Sequence, residues 1–223
     1  MSNVDRAYNQ VRNELAEVGL LADGVYLDAV ELCISHEKSG DGEVGYVFER
    51  VGHFAERGYK PGVIYLPRDL PHKRYKPGFT LTDTIRHEYA HAWFYLDPGF
   101  FRQDWFVSTF GAAYANCAPL PYQSWQKQMK KDPEFKARAE QSPDKEAVER
   151  HFNSQLLKHF VSEYATTNAS EDFAETFMFF LKYRKSLNRF ARREGVYRKI
   201  RMVERAVAMA ARRTRQFSGR RSA

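Results

Sequence analysis

Cysteine is almost missing from this 223-residue chain: Cys33 and Cys117 are the only two. Two thiols cannot build the disulfide framework of a small secreted module, and these stand too far apart for a CxxC metal knuckle. Both are expected to be reduced core side chains, Cys117 in the apolar context Ala-Asn-Cys-Ala. Long apolar runs are missing too. The densest stretches, Ala92 to Leu96 and Phe177 to Leu181, fall far short of the roughly 18 to 20 residues that cross a bilayer, so no membrane span is expected. The first twenty residues carry Asp5, Arg6, Arg12, Glu14 and Glu17 and lack the apolar stretch of a secretory signal, which makes a cytoplasmic location the expectation. No repeat, low-complexity tract or Pro/Gly/Ser linker interrupts the chain, so a single domain over residues 1–223 is expected.

Apolar side chains are plentiful. Seventeen Phe, thirteen Tyr and three Trp make the chain 15% aromatic, enough to close a core and to exclude a disordered chain. The formal charge of +7 is unevenly placed. From Lys182 to Ala223 fifteen basic side chains face two acids, Glu194 and Glu204, a local +13, whereas the other 181 residues carry −6. In that segment spacings of three and four recur within the apolar set Phe190, Val196, Ile200, Val203, Val207 and Met209, which describes a core-docked helix with an Arg-rich outer face. The alternative is a polyanion or nucleic-acid contact. The last stretch, Arg212 to Ala223, is expected to fray.

Val4, Tyr8, Val11, Leu15 and Val18 place an amphipathic helix over about Asn3 to Val18, closed near Gly19. Strands are expected at Val25 to Ile34, Gly45 to Glu49 and Val63 to Leu66, the last bounded by Pro61-Gly62 and Pro67. Arg68 to Gly78 is proline-rich loop. From Thr80 the pattern turns helical, with Thr82 or Asp83 as cap and a stop at Asp97-Pro98-Gly99. The aromatic stretch Phe100 to Tyr122 suits core better than a cleft wall. Polar helices follow near Gln123 to Lys131 and Pro143 to Phe160, then a pair at about Ser170 to Lys185 and Leu187 to Arg213. The expected class is α+β, a small N-terminal sheet with a mainly helical C-terminal half. Residues 1–79 form the helix-and-sheet part, 80–185 hold the candidate active-site helices, and 186–223 form the basic helix and tail.

Within the helix after Thr80 the chain reads His87-Glu88-Tyr89-Ala90-His91, an HExxH motif. Residues four apart in an α-helix lie about 40° apart around the axis and roughly 6 Å along it, so both imidazoles can reach one ion. Glu88 projects about 100° further round, where it can take a proton from a water acidified by the metal. Ile85, Tyr89, Ala92, Trp93 and Leu96 make the helix apolar around most of its girth, so His87, Glu88 and His91 would be partly buried. A shared ion relieves the cost of burying them.

A catalytic zinc site needs a third protein ligand and an open fourth position. His151 and His159 stand eight apart on a polar helix and suit the surface. The segment from Ser162 to Phe177 is the better source: Glu171 and Glu175, four apart, share one side of a helix otherwise built from Phe173, Phe177, Met178 and Phe180. Two carboxylates on a buried helix need a cation or donors. Glu171 can bind the ion while Glu175 accepts the N–H of a metal-bound imidazole. The competing account, an acidic first turn favoured by the helix dipole, covers Glu171 and Asp172 but leaves Glu175 unexplained.

His87-Glu88-xx-His91, followed by Tyr164 seven residues before the Glu171-Asp-Phe-Ala-Glu175 run, resembles the gluzincin metallopeptidases of the anthrax lethal factor type, including the Pro-Pro endopeptidases. The resemblance covers about residues 86–96 and 162–181. It departs from the family in spacing, Glu171 standing 80 positions after His91. It implies a zincin-like metallopeptidase domain with His87, His91 and Glu171 on Zn²⁺ and Glu88 as general base. Tyr164 would stabilise the oxyanion, and Glu175 is the carboxylate behind the ligands. The expected activity is zinc-dependent hydrolysis of a peptide or protein substrate, with Val63 to Leu66 as a strand that extended peptide could join.

Overall fold

The computed structural model describes residues 2–21, 26–35, 45–47, 58–70, 79–111, 113, 133–134, 137 and 156–221. Cys117, His151, Tyr114, Tyr122 and the expected helix at Gln123 to Lys131 lie outside them. The described elements are mostly helical with one small sheet, an α+β composition. By its internal contacts the chain divides into two compact units, Met1–Phe100 with Glu204–Ala223, and Phe101–Val203.

In the first unit, helix α1 (Asn3–Glu17) opens on a reciprocal cap. Ser2 Oγ accepts the Asp5 N–H at 3.0 Å, and the Asp5 carboxylate accepts the Ser2 N–H at 2.8 Å. Ala7, Val11 and Leu15 form its buried stripe. The chain turns at Gly19, whose φ of +79° favours glycine; a Cβ there would lie 2.9 Å from Cβ of Ala211.

The expected strand from Val25 is shorter than its apolar pattern suggests. Tyr26–Ala29 is a 3₁₀ turn, and strand β1 is Glu31–Ile34. Long-range partners take this segment out of a ladder: Arg12 pairs with Asp28 at 2.5 Å, and the Tyr8 hydroxyl donates to the Val30 carbonyl at 2.8 Å. Strands β2 (Gly45–Val47) and β3 (Val63–Leu66) complete a sheet of order β1-β3-β2. β3 pairs parallel with β1, Val63 opposite Glu31, and antiparallel with β2, Val63 opposite Val47.

Because β3 is central and buried along its length, both its edges are occupied, and the expected pairing of Val63 to Leu66 with a peptide is ruled out. β1 lies at the edge, with Cys33 exposed; the expectation of a core thiol fails for that reason. Helix α2 (Leu81–Leu96) packs on α1, on the 26–29 turn and on β2 and β3. Its cap is Thr80, not Thr82 or Asp83; Asp83 is the reciprocal partner, its carboxylate 2.9 Å from the Thr80 N–H. After the Asp97 cap the chain does not simply stop, because Pro98–Phe101 forms the short helix α3.

In the second unit, helix α4 (Asp104–Phe110) ends at Gly111, φ +81°. Phe101, Phe106 and Phe110 pack edge to face against Phe173 of helix α5 (Ala169–Tyr183), with centroids 5.0 to 5.7 Å apart. This confirms the core role of those aromatics. A helical turn is described at 156–159, and a 3₁₀ segment, Arg184–Phe190, kinks at Ser186 (φ −147°, ψ 39°).

Helix α6 (Glu194–Arg221) begins seven residues later than the expected start at Leu187 and continues through the segment expected to fray. Phe190, Val196, Ile200, Val203 and Val207 are buried as expected. Met209 is exposed, and Ala206, Ala210 and Ala211 take the inner face instead. Among the described residues no helix is long and apolar enough to cross a membrane.

Candidate metal centre

Helix α2 presents His87, Glu88 and His91 from a largely buried surface. His87 and Glu88 are buried and His91 is half-buried. One helical turn brings the two Nε2 atoms to 3.1 Å, with the rings edge to face. Two nitrogens on one tetrahedral zinc at 2.0 to 2.1 Å stand about 3.3 Å apart, so the pair fits an ion with little adjustment. The same separation also suits a single N–H···N hydrogen bond.

The rotation of α2 is fixed from behind. Arg86 reaches Glu14 and Asp83, while Tyr89 stacks beside Tyr8 and its hydroxyl meets the Val30 carbonyl at 3.4 Å. Burial, then the neighbouring Tyr8, raises the Tyr89 phenol above its ordinary range and keeps it un-ionised. Glu88 lies beside β2, where a Cβ added to Gly45 would be 3.8 Å from Glu88 Oε2.

On α5, Asn168 is the N-cap and its side chain accepts the Glu171 N–H at 3.0 Å. Glu171 is half-buried and Glu175 buried. Ser162 donates to Glu175 Oε2 at 2.5 Å. Tyr164 begins a one-turn 3₁₀ helix, Tyr164–Thr166, and is 54% exposed, so it is not a packed interface tyrosine.

Asp172 does not serve as an acidic first-turn residue facing water. It is wholly buried, 2.5 Å from Lys199 Nζ, and that ammonium also lies 4.0 Å from the centre of the Phe160 ring. Burial pushes the Asp172 carboxyl up to about 7, against the opposing pull of Lys199 and Thr176. Burial likewise lowers the Lys199 ammonium.

Of the three expected ligands, His87 and His91 lie in the first unit on α2, and Glu171 lies in the second on α5. Two imidazole nitrogens and one carboxylate oxygen are the donor types of a catalytic zinc. His159 is exposed.

Sequence pattern alone passed over Ser162, Asn168, Glu14 and Arg86. Asn168 could have been found as an Asx cap three residues before Glu171, and Ser162 as a hydroxyl opening a turn. The Arg86–Glu14 pair is 72 residues apart in sequence and has no local signature. No family model, curated protein or solved structure matches the chain.

Proposed function

We propose that this chain is a zinc-dependent endopeptidase with a zincin-like fold, of the gluzincin type. The observation that carries the proposal is the His87–His91 pair, its Nε2 atoms 3.1 Å apart on a buried helix with Glu88 between them. His87, His91 and Glu171 would hold the ion. When bound, the zinc supplies a Lewis acid for the scissile carbonyl and lowers the pKa of a water to about 7.

Glu88 accepts a proton from the attacking water and returns it to the leaving amine. The Tyr164 phenol, exposed on its turn, donates to the developing oxyanion. Glu175 holds an imidazole N–H and so fixes the ring's tautomer. An extended substrate backbone adds to β2, the edge strand beside Glu88, in place of the occupied β3.

Metal analysis of the purified chain tests the proposal directly. About one zinc per chain is expected, lost in His87→Ala and Glu171→Ala. Glu88→Gln should keep zinc and lose cleavage of a peptide library; full cleavage by that variant removes Glu88 from the mechanism.

A second reading, a polyanion or nucleic-acid contact, is favoured by Arg198, Arg201, Arg205 and Arg212, all exposed on α6 at spacings of three, four and seven. Binding of DNA or RNA that falls steeply with salt and is lost in Arg205→Glu/Arg212→Glu would support it; salt-independent binding would remove it.

A further inference from the structure

We propose that Ser162 is a positioning residue whose single hydroxyl closes residues 162–175 on themselves and so sets both the Tyr164 turn and the Glu175 carboxylate. What it positions rests on the zinc-peptidase proposal; the closure itself does not. A serine hydroxyl has one proton to give and lone pairs to accept with. Ser162 uses both: it donates to Glu175 Oε2 at 2.5 Å and accepts the Ala165 N–H at 3.1 Å.

Between these contacts the chain is tied locally. Thr166 and Thr167 N–H groups bond the carbonyls of Glu163 and Tyr164 at 3.1 and 3.0 Å, and the Thr166 hydroxyl bonds the Glu163 carbonyl at 2.7 Å. The Asn168 cap then launches α5 at Glu171. Tyr164 is more than half exposed, and the backbone turn beneath it carries its side chain. That turn and the Glu175 carboxylate share one anchor, 13 residues distant from Glu175 along the chain.

Helix α5 has independent anchors in the Phe173 cluster and the Asp172–Lys199 pair, so losing the Ser162 hydroxyl should leave the fold in place. Ser162→Ala removes both bonds, whereas Ser162→Thr keeps a hydroxyl able to make them.

The test has two arms on the full chain. In metal-free protein, NMR-detected exchange of the Ala165 amide should quicken about tenfold or more in Ser162→Ala and return in Ser162→Thr. Zinc affinity, read by competition with a chromogenic chelator, should fall about tenfold in Ser162→Ala, and not fall further when that change is made in a Glu175→Ala background. If Ser162→Ala does not fold, Ser162→Cys, a weaker donor of similar size, provides the same comparison. Unchanged Ala165 exchange, or failure of threonine to restore it, overturns the proposal. A native chain that takes up no zinc while Ala165 responds as described ends the peptidase proposal and leaves the closure standing.

Discussion

Arg86 grips Glu14 with two parallel hydrogen bonds: Nε donates to Oε2 at 2.7 Å and Nη2 to Oε1 at 2.6 Å. Its remaining nitrogen, Nη1, reaches Asp83 at 2.5 Å. Arg86 and Glu14 side chains are only 5% and 9% accessible. This fork ties α1 to α2 one residue before His87, so the azimuth at which α2 presents its imidazoles is set by a group outside the proposed ligand set.

Removing the cation from this cluster should be severe. Arg86→Ala leaves two buried carboxylates facing each other, and breaking a buried pair from one side costs about 3–5 kcal/mol. The Arg12–Asp28 pair, 28% and 41% accessible, is the internal control, and Arg12→Ala should cost about 1 kcal/mol or less. Urea unfolding of the two variants decides the matter. Equal losses would mean that the Arg86 cluster is no more than surface electrostatics.

The features legible in the sequence are those whose geometry is set within a few residues. HExxH depends only on helical periodicity. β3 is framed by Pro61-Gly62 and Pro67, and its span, Val63–Leu66, agrees with the pattern. What escaped is set at a distance. Val25 to Val30 alternates like a strand, yet Arg12, Tyr8 and Tyr89 reach in from two helices and claim its Asp28 side chain and Val30 carbonyl. Cys33 looked like core because β1 is apolar; the order β1-β3-β2 makes it an edge. Met209 is off the inner face of α6 because it stands only two residues, about 200° of helix, beyond Val207, whereas Ala210 and Ala211 continue the spacing of three and four.

If the zinc proposal holds, the ion should also stabilise the folded chain. A ligand that binds only the folded state contributes about 2.7 kcal/mol at a free concentration one hundred times its Kd. For a chain of this size that raises Tm by about 5–10 °C. Calorimetry with and without zinc should show the shift, a chelator should reverse it, and His91→Ala should abolish it. If the 3.1 Å His87–His91 contact is only a hydrogen bond between rings, zinc will leave Tm where it was.

The Asp172–Lys199 pair should behave as a coupled unit. Lys199→Met strands a wholly buried carboxyl and should cost about 3–5 kcal/mol. Adding Asp172→Asn removes the stranded group, so the double variant should recover a good part of that loss. A double-mutant cycle on denaturant midpoints measures the coupling; simple additivity would show that the two groups do not sense each other.

Acid should loosen the first turn of α1 in a defined window. Hydrogen bonds from the Ser2 backbone and side chain hold the Asp5 carboxyl below its usual 3.8. A depressed carboxyl contributes stability that is present above the unfolded value and lost as pH falls through the folded one. Carbon-detected NMR titration should find Asp5 titrating below 3.8, and moving toward it in Ser2→Ala. An unmoved midpoint would detach the cap from the titration.

Gly45 offers the sharpest test of where substrate runs. It sits on β2 without a positive φ, so its backbone accepts other residues, and a Cβ there would meet Glu88 Oε2 at an ordinary contact distance of 3.8 Å. Gly45→Ala should therefore fold with stability within about 1 kcal/mol of the native chain, since glycine loses more backbone freedom on folding than alanine does. Valine carries two further carbons into the strip between β2 and the Glu88 carboxylate. There they would desolvate the proposed base and crowd a substrate backbone paired as proposed with the strand edge. The expected order of kcat/KM on a library-selected peptide is native, then alanine, then valine, with the valine variant down more than tenfold and zinc content unchanged in all three. Native cleavage by Gly45→Val, with zinc in place, would move the substrate path away from β2 and leave the metal ligands unaffected.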